Sequence, residues 1–253
     1  MLSSPFYVLR GAFFLWAHRQ LWKYAAAPLV ITTLVMGVGY YVLYHVFSDL
    51  LSRFLGPGTE WYWQVVYYVL LVVAGALVLV MFFFLFTVVA TTIAEPFNEL
   101  ISEKTEQLIT GRFADTPFSV LQLLKESGRG LVHALRILSF YVGALLVSLL
   151  FLLVPGIGAV LFWLVTIFLS AYMLSYQYLS YPMTRRKFTF RQKQALIRSK
   201  LFSTMGFGLG SLAVASVPII NVLLVPAAVT GGTLLFLDLQ AKGSDSTMRA
   251  EDQ

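Results

Sequence analysis

Asp, Glu, Lys and Arg are absent from four long stretches of the chain: Tyr24 to Ser48, Trp61 to Ala94, Ile137 to Thr184 and Leu201 to Leu237. Together these cover 144 of 253 residues. A helix needs ~20 mainly apolar residues to cross about 30 Å of hydrocarbon, so every stretch is long enough to span a bilayer. The first two, of 25 and 34 residues, each predict one long spanning helix. The other two, of 48 and 37 residues, are interrupted near their middles by Val154-Pro155-Gly156-Ile157-Gly158 and by Val217-Pro218-Ile219-Ile220-Asn221. Proline and glycine there end one helix and start another, which predicts two helical hairpins. Their leading arms, Ile137 to Val154 and Leu201 to Val217, reach only ~25–27 Å at 1.5 Å per residue. Two geometries fit: complete antiparallel pairs of spans, or re-entrant hairpins whose turns stop inside the membrane, where protein or water must cover the free backbone groups. Short arms and uncharged turns favour the re-entrant form.

The intervening segments predict amphipathic helices. In 95–136, Phe97, Leu100, Ile101, Leu108 and Ile109 recur at helical spacing. They extend the second span as an amphipathic helix that Pro96 kinks at its exit and Thr110-Gly111 ends. Its acidic residues Glu99, Glu103 and Glu106 are read as a solvated face, and no metal site is expected. In 185–200, Thr189 and Gln192 form a capping box opening a short helix. This basic run lies between two hairpins, so it is assigned to topology and anionic headgroups rather than to nucleic acid. The fold class is an all-α membrane protein: two long transmembrane helices, two Pro/Gly-interrupted hairpins and amphipathic cytoplasmic helices. Residues 1–242 form one integral membrane domain, and the small polar residues 243–253 form a disordered cytoplasmic tail.

Composition agrees, with 58% hydrophobic and 12% charged residues against roughly 25% charged in soluble domains. A signal-peptide reading of the first stretch fits poorly, because an h-region is normally ~7–15 residues. Basic residues set the orientation. Three Lys or Arg lie in 1–23, five in 95–136, seven in 185–200 and two in the tail, against one in 49–60. With 49–60 and both Pro/Gly turns outside, 17 face the cytoplasm and both termini are cytoplasmic.

Catalytic chemistry has little support. There is no cysteine, and His18, His45 and His133 fall in separate segments. Nucleophile-elbow, zincin and Walker A patterns are absent. No enzyme activity and no cofactor are expected. Gly206 and Gly210, four residues apart, are assigned to close helix packing. No charged residue lies inside the four stretches, so a buried-carboxylate proton relay is not visible. Helices starting at the interrupted turns would instead aim free N–H groups and positive dipole ends into the membrane. Arg19 and Lys23, just before the first span, add positive potential. These features point to an anion pathway.

Ala94-Glu95-Pro96-Phe97-Asn98-Glu99-Leu100, Val154-Pro155-Gly156-Ile157-Gly158, Ser170-Ala171-Tyr172-Met173-Leu174-Ser175-Tyr176-Gln177-Tyr178 with Tyr181-Pro182, and Val217-Pro218-Ile219-Ile220-Asn221 with Val225-Pro226-Ala227-Ala228 occur in this order. In order and spacing they resemble the CysZ family of bacterial sulfate permeases, from about residue 5 to 240. The resemblance implies an oligomeric inner-membrane protein with two spans and two partly penetrating hairpins, importing sulfate for cysteine synthesis. It also implies that the family's sulfate-binding Gly-x-Arg-Arg stretch falls on Gln20-Leu21-Trp22-Lys23, which puts Lys23 and Trp22 at the anion; with Arg19 assisting from just before the stretch, Lys23, Arg19 and Trp22 are the expected anion-binding residues. Gln20 and Trp22 depart from that pattern. The expected partners are sulfate or a similar oxyanion, membrane lipids and further copies of the chain, with no nucleic acid. The alternative is a non-transporting structural or lipid-interacting protein of the same superfamily.

Overall fold

The computed structural model describes residues 4–54, 61–111, 139–216 and 218–251. A 3-10 turn at Ser4–Phe6 leads into α1 (Tyr7–Ala17), and a second at Arg19–Leu21 leads into α2 (Trp22–Phe54). Then follow α3 (Trp61–Thr110), α4 (Ser139–Leu153, its last five residues 3-10), α5 (Gly158–Arg185), α6 (Phe190–Ser199), α7 (Leu201–Ala215) and α8 (Pro218–Glu251). No strand occurs among the described residues. Helices α2, α3, α5 and, within α8, Leu224–Ala241 are long and apolar enough to cross a membrane. Helices α4 and α7 are shorter, at 15 described residues each, and reach only ~25 Å and ~22 Å, the 3-10 end of α4 rising faster per residue.

The expected breaks sit where the prolines and glycines are. Gly156 adopts φ +81°, and α5 opens two residues later. Gly111, at φ +66°, donates its N–H to the Gln107 carbonyl and closes α3. Helix α7 ends at Ala215 and α8 begins on Pro218, a first-turn position where a missing N–H costs nothing. Pro96, expected to kink the exit of the second span, lies inside the uninterrupted helix α3. Helix α8 continues to Glu251, so helical backbone enters the segment that composition marks as a polar tail.

The chain divides into two compact units. One, Tyr24–Phe97, contains most of α2 and the apolar part of α3. Tyr40 meets Phe82 edge to face at 6.1 Å, while Leu34, Phe83 and Phe84 are 65–71% exposed. Outward apolar surface of this kind marks a face that meets lipid or other protein. Threonines within it turn their hydroxyls back onto their own helix: Thr33 donates to the Leu29 carbonyl, Thr87 to Phe83 and Thr92 to Val88. This satisfies groups that hydrocarbon cannot hydrate.

The other unit joins residues 1–23 to 98–253 and is built around α8, where Ala228, Val229, Thr230, Thr233 and Phe236 are fully buried. Its helices meet backbone to backbone at glycines. A Cβ on Gly11 of α1 would lie 2.1 Å from the Ala227 carbonyl oxygen and 2.5 Å from the Gly231 nitrogen, and one on Gly231 would lie 2.3 Å from the Tyr7 oxygen. A Cβ on Gly210 would similarly lie 2.3 Å from the Pro5 oxygen, and one on Gly208 2.0 Å from the Ala171 oxygen. The Gly206–Gly210 run is thus a packing surface, as expected. At the α5–α7 contact the Ser175 hydroxyl donates to the Thr204 carbonyl.

Gly208→Ala should therefore force α7 away from α5 and lower stability by about 1–3 kcal/mol. Gly37→Ala, in α2 with nothing within 4 Å of the added carbon, should be neutral or raise stability by about 0.5–1 kcal/mol. Thermal unfolding of the detergent-solubilised variants checks both, and equal melting temperatures would contradict the close-packing assignment.

Candidate functional site

The start of α2 is a sharp corner. His18 ends α1, donating its backbone N–H to the Phe14 carbonyl at 3.1 Å, and its ring stacks on Phe14 with centroids 4.1 Å apart. Arg19–Leu21 then form a 3-10 turn anchored by the fully buried Leu21. Trp22 folds back on α1: its indole N–H donates to the Leu15 carbonyl at 3.0 Å and its ring meets Trp16 edge on at 5.3 Å. Arg19 and Lys23 are both exposed. Their four-residue spacing places them on one side of the helix start, and the first turn of α2 carries no acid. Two cations and a helix N-terminus can hold an oxyanion through charge-assisted hydrogen bonds. Trp22 has its single polar group engaged with Leu15, so its contribution is to fix the corner.

A second assembly of charge lies where the lower end of α3 meets α5, α6 and α8. Asn98, Ser102 and Thr105 of α3 are buried. The Ser102 and Thr233 hydroxyls are 2.7 Å apart. Arg185 donates to the Ser102 hydroxyl at 3.0 Å, the Glu99 carbonyl at 3.3 Å and the Glu106 carboxylate at 2.8 Å. Arg186 takes the other Glu106 oxygen at 2.7 Å and lies over the Phe236 ring at 5.0 Å. Both arginines are placed by the end of α5, a Schellman closure in which Phe188 N–H donates to the Met183 carbonyl and Lys187 N–H to Thr184. Lys187 occupies the left-handed position, φ 58°, usually given to glycine. Phe188 then packs against Phe236 at 6.1 Å.

The capping box is present: Gln192 N–H donates to the Thr189 hydroxyl, and the Gln192 side chain accepts from the Thr189 N–H. It starts α6 so that Lys193 turns inward. Lys193 is 5% exposed and donates to the Ser180 and Thr184 hydroxyls, each at 2.8 Å. Burial pushes its amine down to about 8, opposed by the Glu99 carboxylate nearby. A third polar contact ties the ends of α1 and α8. The Tyr7 phenol donates to the Asp238 carboxylate, with the Arg10 guanidinium 5.2 Å above its ring. Burial, with that carboxylate beside it, pushes the Tyr7 phenol up to about 12.

These contacts correct two sequence expectations. Glu106 does not sit on a solvated face, since it pairs with two arginines at 18% side-chain exposure. The basic run 185–200 is not wholly turned outward, because Arg185 and Lys193 are built into the protein. Apolar spacing hid this. Ile101 is buried, but Leu108 and Ile109 are exposed, and the buried stripe is the polar series Asn98, Ser102, Thr105. That series has helical spacing of its own and was the available signal.

Apolar helices exposed to lipid, glycine-mediated contacts and charges gathered at helix ends define an all-α membrane protein. Residues 7–226 match the family described as "Sulfate transporter CysZ/Etoposide-induced protein 2.4", and the chain belongs to that family. It is 35% identical over 151 residues to the sulfate transporter CysZ of Pseudomonas paraeruginosa, covering 60% of this chain and 61% of that protein. The match to the sulfate transporter CysZ of Salmonella typhimurium is 28% identical over 217 residues, 85% of each chain. Against the Pseudomonas relatives, then, the chain spans about 61% of their length.

Glu106→Gln leaves two partly buried guanidinium groups without a counter-charge and should cost about 1–3 kcal/mol of stability, read by thermal unfolding. Lys193 gives a pH signature. Its folded-state value of about 8 lies below the ordinary 10.5, so its burial is penalised below pH 8 and the penalty disappears as pH rises towards 10.5. Lys193→Met should therefore stabilise the protein at pH 7 relative to wild type, by an amount that shrinks by pH 10. A pH-independent difference would contradict the buried, partly neutralised amine.

Proposed function

We propose that this protein carries sulfate or a related oxyanion inward across the bacterial inner membrane, supplying cysteine synthesis, as a multi-pass oligomer with both termini cytoplasmic. Membership in a family whose relatives are named sulfate transporters supports the substrate class. The observation that carries the reading to particular residues is the acid-free start of α2, with Arg19 and Lys23 exposed on one side. Lys23 and Arg19 supply charge-assisted bonds, the positive end of the helix dipole adds to their potential, and Trp22 holds the corner. Two further helix starts, at Gly158 and Pro218, present the same kind of positive end after the short arms α4 and α7. The membrane domain comprises 1–242, with 243–253 as its tail, and the short arms support hairpins that penetrate only partway.

A non-transporting role in the membrane is the second reading. It is favoured by Gln20 and Trp22, which stand where the family's sulfate-binding stretch calls for other residues. A tetrahedral dianion prefers the bidentate fork of Arg to the point charge of Lys, so the two readings part on sulfate affinity. Calorimetry in detergent at low ionic strength should detect sulfate binding by wild type. Lys23→Ala should weaken it by roughly ten- to a hundredfold, as expected for loss of ~1.5–3 kcal/mol of charge-assisted bonding, and Lys23→Arg should preserve or strengthen it. Equal affinity in wild type and Lys23→Ala would remove Lys23 from the site and favour the second reading.

A further inference from the structure

A cavity of about 300 Å³ lies between α4, α5 and α6. Phe140, Met173 and Phe190 give it apolar walls, while Tyr172, Gln194 and Arg198 contribute polar groups. The Tyr172 hydroxyl is buried and has no hydrogen-bond partner among the described residues. Buried hydroxyls are normally paired, so an orphan against a cavity marks a missing ligand atom or water. Arg198 is exposed, and both ion pairs among the described residues use Glu106 instead. The phenol, the amide and the guanidinium can all donate, and no Asp or Glu lines the cavity. With Arg198 as the one charged group in the lining, the cavity favours an anion.

The neighbouring surface says what kind of anion. A groove of about 430 Å³ runs between α4 and α5, lined by Gly143, Val147, Phe151, Val165 and Leu169, and it shares Phe140 with the polar cavity. The Tyr141 and Ser170 hydroxyls, 3.0 Å apart, clamp the two helices beside it. The cavity stands where two apolar arms give way to α6, a helix carrying Arg191, Lys193 and Arg198. An inorganic oxyanion would use the donors but leave Phe140, Met173 and Phe190 facing water, whereas an amphiphile covers both. We propose that this cavity binds the phosphate headgroup of an anionic phospholipid, with an acyl chain in the adjoining α4–α5 groove. Arg198 pairs with the phosphate, Gln194 and Tyr172 donate to its oxygens or to the glycerol esters, and the aromatic walls cover the glycerol backbone. The site is separate from the start of α2, and the proposal does not rest on sulfate transport.

The test uses the full chain in neutral detergent, titrated with short-chain phosphatidylglycerol or phosphatidylcholine and read by native mass spectrometry. Wild type should retain phosphatidylglycerol in preference to phosphatidylcholine. Arg198→Ala, at an exposed position that the fold tolerates, should weaken retention about tenfold or more, as loss of a charge-assisted contact implies. Tyr172→Phe removes one oxygen and keeps the ring, and should weaken retention several-fold. Equal retention by wild type and both variants would overturn the proposal. So would displacement of the lipid by millimolar inorganic phosphate or sulfate alone, which would mark the cavity as a site for the free oxyanion. Sulfate calorimetry on the same variants keeps the two sites distinguishable, because Arg198→Ala should leave sulfate binding at Lys23 unchanged.

Discussion

Helices immersed in lipid gain nothing from burying apolar side chains against one another, since the hydrocarbon around them is equally apolar. What holds them together is close approach of backbones, and the contact on which the rest of this structure depends is the one between α1 and α8. Gly11 fits against Ala227 and Gly231, and Gly231 fits in turn beneath the Tyr7 carbonyl. Because that contact fixes the position of α1, it also fixes the corner at His18 through Trp22 from which Arg19 and Lys23 project. On the other partner, it sets α8, whose Thr233, Phe236 and Asp238 meet Ser102, Arg186 and Tyr7. A methyl group at Gly11 or Gly231 would therefore disturb both sites while touching neither.

The inward cluster answers a second constraint. Charges near hydrocarbon must be paired or hydrogen-bonded, because desolvation otherwise outweighs any gain from burying them. Glu106 meets this by serving two arginines with its two oxygens, and Arg185 shares its remaining donors with a hydroxyl and a backbone carbonyl. Lys193 meets it differently, with two hydroxyls and a nearby rather than a bonded carboxylate, and its lowered proton affinity is the physical consequence. The cluster joins the end of α3 to α5, α6 and α8 beside the buried apolar side chains Ile101, Leu179, Met183, Ile197 and Phe236.

Much of this architecture was legible in the sequence, because hydrocarbon imposes simple length and charge requirements. The charge-free stretches located the long helices, Pro155-Gly156 and Pro218 located the breaks, and Thr189 with Gln192 located the start of α6. Close packing at Gly206 and Gly210 followed from their four-residue spacing, whereas the approach of Gly208 to Ala171 did not. The inward turn of Glu106 and Lys193 did not, since a mixed-charge segment beside a membrane has the same local pattern whether its charges face water or one another. Only the pairing partner decides, and Arg185 lies 79 residues from Glu106. The bond of the Trp22 indole to the Leu15 carbonyl was likewise not legible, because nothing in a tryptophan among basic residues says which backbone its N–H will meet.

A membrane protein with an anion cargo must move that anion across a bilayer, so flux is the decisive property. Radiolabelled sulfate uptake should be measured in liposomes reconstituted with the purified full chain, against protein-free liposomes of the same lipid composition. Sulfate should enter well above the protein-free rate, and excess unlabelled sulfate should reduce that entry. Uptake indistinguishable from empty liposomes, by protein that is folded and inserted, would contradict transport and leave a non-transporting member of the family.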